Sequence, residues 1–175
     1  MPKTMTAEEY KAKVHRSLEE VWNKSNWEVA RETYADDIVV YSPSHPEPLH
    51  GRENGLRELH TALHTAHPDF HIEVHKMVCE GKDVAVRWTV SGTNTGVHFG
   101  MPPTGRKFAS EEVALLRFND EGMVDEIRFY MNVMEILQQL GVMPPGPPPK
   151  AMIMIIGLTQ KIGGFFKRIG GLFKR

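Results

Sequence analysis

A single cysteine, Cys79, occurs among 175 residues. No internal disulfide can form, and a reducing compartment fits. Long apolar runs are missing too. The longest, Ala151–Ile156, is far shorter than the roughly 20 residues a bilayer-spanning helix needs. The first ten residues are polar and contain no apolar h-region, so no secretory leader is expected. Fifteen glycines and 12 prolines are too few for a collagen-like chain, and 41% hydrophobic residues exclude a wholly disordered one. Acidic residues are absent after residue 149, where Lys150, Lys161, Lys167, Arg168, Lys174 and Arg175 stand without a counter-charge. The formal net charge of −1 therefore conceals a body, residues 1–149, with 15 bases against 22 acids. Nucleic acid is excluded as the body's ligand, because neutralising phosphates requires a basic face. The expectation is a soluble cytoplasmic domain with a distinct C-terminal appendage.

What is present begins with helices. Thr6-Ala7-Glu8-Glu9 has the form of a capping box, and Ser25-Asn26-Trp27-Glu28 repeats it. Between them Tyr10, Val14, Leu18, Val21 and Trp22 recur at helical spacing. Gly51 to Ala66 reads as a third helix with Leu56, Leu59 and Leu63 on one side, ended by Pro68. The period then changes to two. Phe70–His75, Val84–Val90, Phe108–Phe118 and Met123–Asn132 alternate as half-buried strands, and Ile38–Tyr41 adds a short fifth. Helices first and antiparallel strands afterwards predict an α+β domain with helices on one face of a sheet. A helical turn at Met134–Leu140 stops at Gly141. The predicted organisation is a domain over residues 1–142, a Pro-rich linker at 143–149 and a tail at 150–175.

Five short motifs occur in order: Leu49-His50-Gly51-Arg52-Glu53, His67-Pro68-Asp69-Phe70, Gly92-Thr93-Asn94-Thr95-Gly96, Pro102-Pro103-Thr104-Gly105-Arg106 and Gln139-Leu140-Gly141. Together they closely resemble the SnoaL-like polyketide cyclases, also called ester cyclases. The resemblance implies the cystatin-like α+β cone shared with nuclear transport factor two and ketosteroid isomerase. In that fold a strongly bent antiparallel sheet wraps around three helices and encloses an apolar pocket. It further implies a homodimer formed through the open face of the sheet, no metal, no organic cofactor, and a small apolar carbonyl compound as substrate. Members cyclise polyketide esters by an intramolecular aldol reaction in which an acidic side chain moves protons.

Such chemistry needs a base near the substrate carbon and a donor for the enolate oxygen. An apolar wall raises the base's pKa and strengthens each hydrogen bond. The family's acid/base Asp precedes the terminal helix, and the matching position here is Asn132, which cannot accept a proton at neutral pH but can donate a hydrogen bond. Asn94 likewise replaces the family's His. Strand parity puts Glu126, Arg128, Tyr130 and Asn132 on one face of the last strand, the face that reaches the pocket in the family. On the preceding strand Glu112 shares a face with Ser110, Ala114 and Leu116. The catalytic candidates are therefore Glu112 as base, Tyr130 or Asn132 as oxyanion donor, Arg128 beside them, and His98 as a proton shuttle in the loop after Gly96. The competing readings are an ion pair of Glu112 or Glu126 with Arg128, and an exposed loop position for His98. Tyr34, Tyr41, Trp88 and Leu116 are the candidate substrate-binding walls, while Trp22 on its helical stripe reads as core. His60, His64, His67, His71 and His75 suggest a metal only superficially. Pro68 separates the helical pair from the strand pair, and no acidic residue completes a set.

The tail repeats itself: Ile162-Gly163-Gly164-Phe165-Phe166-Lys167-Arg168 is followed by Ile169-Gly170-Gly171-Leu172-Phe173-Lys174-Arg175. Drawn as a helix, its large apolar residues form one stripe flanked by bases, the pattern of an interfacial helix on anionic lipid. A Pro-rich tether followed by small-apolar-basic repeats also resembles the cargo-loading peptides of encapsulin shells. Three functions remain open on sequence alone. They are a cofactor-independent cyclase or isomerase, a non-catalytic binder of an apolar ligand, and a dimeric scaffold whose tail docks elsewhere.

Overall fold

A computed structural model describes residues 5–98 and 100–146. The chain divides into two units, Met1–Val142 and Met143–Arg175, and the first contains every element below. The linker beyond residue 146 and the tail lie outside the described residues.

Helix α1, Ala7–Ser17, starts where expected. Thr6 Oγ1 accepts from the Glu9 amide while the Thr6 amide donates to the Glu9 carboxylate, so the capping box is closed on both sides. The helix runs directly into a wider π-helical segment, Leu18–Asn23, which buries Leu18, Val21 and Trp22. Two helical imidazoles from further along the chain bond its carbonyls: His60 Nε2 to Val21 O at 3.0 Å and His64 Nε2 to Trp22 O at 2.8 Å. The second expected capping box does not form. The chain leaves the π segment through Ser25 at φ +57°, and α2, Trp27–Thr33, begins behind Asn26 without a side-chain cap. The third predicted helix divides into a π turn at Arg52–Leu56 and α3 at Arg57–Ala66. Gly55 is required there, because a Cβ would come within 2.9 Å of the His50 backbone.

Six strands form one curved, unclosed sheet: β1 (Tyr34–Tyr41), β2 (Leu49–His50), β3 (His71–Glu80), β4 (Asp83–Thr93), β5 (Lys107–Phe118) and β6 (Val124–Tyr130), in the order β2-β1-β6-β5-β4-β3. Two features differ from the sequence expectation. β2 is a sixth strand, too short to show a period, and β1 runs parallel to β6 in an otherwise antiparallel sheet. Register shifts at Tyr34/Val39, Val74/Lys76 and Arg117/Phe118 mark bulges or irregularities that help bend the sheet. Alternation along β5 is complete: Phe108, Ser110, Glu112, Ala114, Leu116 and Phe118 are buried, and the residues between them are exposed. The core lies on this inner face, under α1, the π segment and α3.

Helix α4, Val133–Gln139, closes one end. Its Gln139 amide grips Ala109 of β5 at both backbone atoms, accepting from N–H at 2.8 Å and donating to C=O at 2.9 Å. Gly141 follows at φ +73° and lets the Val142 amide reach back to Leu137 O at 2.9 Å, a Schellman ending.

Candidate active site

The inner face of the sheet and the helices above it form a cavity of about 50 Å³. That is several times the space one water requires. Five aromatic side chains stand in its otherwise largely aliphatic wall: Trp22 from the π segment, Phe70, Trp88 of β4, Phe108 of β5 and Phe129 of β6. Polar side chains reach it at a few points only, namely Glu112, His98, Ser42 and Ser44.

Glu112 is 7% exposed and makes no ion pair among the described residues. Burial pushes its carboxyl up to about 7. Its neighbour in register across β4–β5 is Trp88, whose indole N–H acts in the opposite direction on the carboxyl without completing a hydrogen bond of normal geometry. The ion-pair reading fits Glu126 instead, which binds Arg128 Nε at 2.7 Å within the same strand.

His98 also lines the cavity. It is half-buried, and its Nδ1 is hydrogen-bonded to Nε2 of the fully buried His67 at 2.8 Å. Desolvation holds the His98 imidazole down at about 4, with the His67 ring contributing to that fall. His67 is lowered as well, chiefly by burial. The reading of His98 as a freely exposed loop residue is thereby replaced. In the sequence His67 stands out only as one of five histidines weighed for a metal, not as a catalytic candidate. Its place in the His67-Pro68-Asp69-Phe70 motif was the available signal.

The last strand departs from the parity assigned to it. Residues opposite one another on adjacent strands share a face, and the register pairs Ala114 with Phe129 and Leu116 with Ile127. Phe129 and Met131 therefore line the cavity, while Arg128 and Tyr130 project from the other side of the sheet with Leu115 and Val113. Tyr130 is 53% exposed. Asn132 is exposed too: it caps α4, its Oδ1 accepting from the Glu135 amide at 3.2 Å. Neither is positioned as an oxyanion donor for this cavity. Of the four expected walls, Trp88 lines the cavity. Leu116 is packed in the core. Tyr41 lies under the Arg128 guanidinium, 3.7 Å from its ring centre. Tyr34 is fully buried, with its hydroxyl accepting from Trp22 Nε1 at 3.0 Å and donating to Ser17 Oγ at 3.1 Å. Trp22 belongs to the core and to the cavity wall at once.

Among the described residues no three His, Cys, Asp or Glu side chains converge as a metal site. His60 and His64 do share a helical face, their rings stacked at 4.2 Å, but each directs Nε2 at a backbone carbonyl.

Several motif residues hold the strand ends and the loop that carries His98. Asp69 accepts from the Thr93 amide and hydroxyl, both at 2.6 Å, and so ties the start of β3 to the end of β4. Asn94 is 2% exposed and organises the β4–β5 loop: its Nδ2 donates to Gly96 O at 2.8 Å and its Oδ1 accepts from the Thr104 amide at 2.9 Å. Gly96 passes so close to α3 that a Cβ would meet Thr65 O at 2.7 Å.

Residues 12–140 match the family profile described as SnoaL-like polyketide cyclase. A proposed SnoaL-like polyketide cyclase from Jannaschia sp. CCS1 shares the fold with a TM-score of 0.72 at 22% identity, covering 82% of this chain and 99% of that one. AclR, a proposed hydroxylase from Streptomyces galilaeus, gives a TM-score of 0.66 at 29% identity, over 79% of this chain and 100% of its own. IdmH, a proposed polyketide cyclase from Streptomyces antibioticus, gives 0.64 at 28%, over 75% and 98%. No curated protein matches the chain. The matched span runs from within α1 to the end of α4 and takes in four of the five motifs whole and the fifth as far as Leu140, and the chain belongs to the SnoaL-like polyketide cyclase family.

Proposed function

We propose that the protein is a cofactor-independent cyclase or isomerase acting on a polyketide-like apolar carbonyl compound, with Glu112 as the proton carrier. One observation carries this reading: a carboxyl buried in an apolar cavity, without an ion pair among the described residues, which burial pushes up to about 7. A base of that strength exists in both protonation states near neutrality, which general acid–base catalysis favours. The Glu112 carboxylate removes a proton alpha to a carbonyl, leaving an enolate and a carboxylic acid. In a cyclisation the enolate carbon then forms a bond to a second carbonyl carbon of the same molecule. The oxygen of that carbonyl takes the proton from Glu112, restoring the carboxylate. In an isomerisation the proton returns to a different carbon.

The second reading, a non-catalytic binder, draws on the exposed capping role of Asn132 at the position matching the family's acid/base Asp. Incubating the full chain with 2-tetralone in D₂O separates the two. An enzyme accelerates deuterium uptake at the α-carbon, and Glu112→Gln slows it by about 10²–10⁴ while binding persists. Binding without acceleration by the unaltered protein favours the second reading.

The assembly belongs to the same proposal. Val113 and Tyr130 stand opposite one another on the outer face of the sheet, 37% and 53% exposed, with Leu115 beside them. This apolar patch supports a homodimer formed through the sheet. Among the described residues no helix is long and apolar enough to cross a membrane. An anionic lipid surface for residues 150–175 rests on the sequence of the tail, with an encapsulin-type shell as the alternative partner.

A further inference from the structure

Among the described residues, two buried polar groups on the inner face of β4 and β5 lack a hydrogen-bond partner, and a third group on that face, Glu112, makes no ion pair. Trp88 is 2% exposed and its indole N–H is sealed from solvent without a hydrogen-bond acceptor of normal geometry. Ser110 is 1% exposed and its hydroxyl has no partner. Glu112, directly opposite Trp88, faces that indole and nothing charged. Ser110 lies between Phe108 and Glu112 on the same face of β5, and both of those residues line the cavity. Folded proteins leave few buried polar atoms unsatisfied, and of the four such side-chain atoms among the described residues two lie on this face, the others being Arg52 Nε and His67 Nδ1. Elsewhere in this core the same residue types are fully bonded, as in the chain from Trp22 through Tyr34 to Ser17.

We propose that the Trp88 indole N–H and the Ser110 hydroxyl form a subsite for one ligand oxygen, and that this oxygen is a neutral carbonyl. Both groups can donate, and a carbonyl oxygen has two lone pairs to receive them. Among the described residues no lysine or arginine lines the cavity, so a carboxylate ligand would be buried without a counter-charge beside a residue that is itself an acid. A hydrocarbon ligand would leave both donors unsatisfied. The subsite rests on the proposed function in one respect, that the bound oxygen belongs to the carbonyl whose α-proton Glu112 removes. It thereby assigns to Trp88 and Ser110 the donor role that the sequence pattern gave to Tyr130 and Asn132.

The test uses the full chain and three naphthalenes of similar size: 2-acetylnaphthalene, 2-ethylnaphthalene and 2-naphthoate. Calorimetry gives the affinity of each for the unaltered protein and for Trp88→Phe and Ser110→Ala. The expected result is that Trp88→Phe lowers the ratio of ketone to hydrocarbon affinity about tenfold and Ser110→Ala several-fold, the loss expected when a buried donor is removed. Taking the ratio within each variant cancels any change in packing. The naphthoate should bind more weakly than the ketone at pH 8. Indole ¹H–¹⁵N spectra of the unaltered protein supply a readout free of mutation: the Trp88 resonance should move downfield with the ketone and not with the hydrocarbon. Equal losses for ketone and hydrocarbon, an unmoved indole signal, or no binding of any of the three overturns the subsite. The deuterium-uptake assay is read separately, so a ketone-selective loss without catalysed exchange would retain the subsite and reject the enzyme.

Discussion

His67 Nε2 and His98 Nδ1 are hydrogen-bonded at 2.8 Å, which joins the buried end of α3 to the loop that edges the cavity. Both rings must be neutral for this pair to be comfortable in its surroundings, and burial lowers both. Between an ordinary imidazole value of 6.5 and about 4, the unfolded chain binds a proton at His98 that the folded chain does not. His60, also held at about 4 by burial, behaves the same way. The stability they contribute is fully present above pH 6.5 and is lost as pH falls toward 4. Urea melts of the unaltered protein and His98→Gln between pH 7 and 4.5 check this. The variant should lose stability less steeply, and parallel curves would reject the coupling.

Glu112 works in the opposite sense. Its folded pKa of about 7 lies above the ordinary 4.5, so the folded chain binds the extra proton and stability falls as pH rises through that window. Glu112→Gln should therefore match the unaltered protein near pH 4 and exceed it at pH 8, by up to about 3 kcal/mol. A variant less stable at pH 8 would mean that Glu112 has an ionic partner in solution. Stabilisation with loss of α-proton exchange is the trade-off expected of a strained catalytic group.

Asn94 is expected to behave as a structural residue although its motif position holds His in the family. Asn94→Ala deletes a donor to Gly96 and an acceptor for Thr104 inside a loop that is otherwise exposed from Pro102 to Lys107. A loss of about 1–3 kcal/mol is expected, with faster amide exchange at Thr104. Asp69→Ala should cost a similar amount through the Thr93 amide and hydroxyl. A neutral Asn94→Ala would show that the loop holds its form without that side chain.

Tail binding is predicted from sequence alone. Six bases each contribute on the order of 1 kcal/mol near an anionic surface, and the apolar stripe adds a part that salt does not screen. The intact chain should sediment with anionic vesicles and less with neutral ones, partly resisting high salt. Removing residues 150–175 should abolish sedimentation. An intact chain that stays in the supernatant with both lipids points to a protein partner instead.

Much of this architecture can be read from local periodicity. The alternation of β5 is unbroken, and it turns Glu112 inward with Phe108 and Leu116. On β6 parity offers two faces and cannot say which is inner. The apolar set Ile127, Phe129 and Met131 was the better guide than the polar set Arg128, Tyr130 and Asn132, and the register with Ala114 decides it. The His67–His98 pair spans 31 positions, and the Trp22–Tyr34–Ser17 chain depends on the π segment that turns Trp22 toward β1. Neither follows from spacing, because both arise only when distant elements pack. Ser25 defeated its capping-box pattern for a backbone reason, a left-handed conformation imposed by the exit from the π segment.

The two-point grip of Gln139 on Ala109 has a consequence for how copies of this chain coexist. β6 pairs with β5 only from Val113 onward, so the stretch before it would otherwise present bare backbone amides and carbonyls to any passing strand. One side-chain amide imitates a strand there, donor and acceptor together. Gln139→Ala would uncover a templating edge next to exposed Val113 and Leu115, and the harm would surface as slow, concentration-dependent fibre growth while the cavity stayed intact.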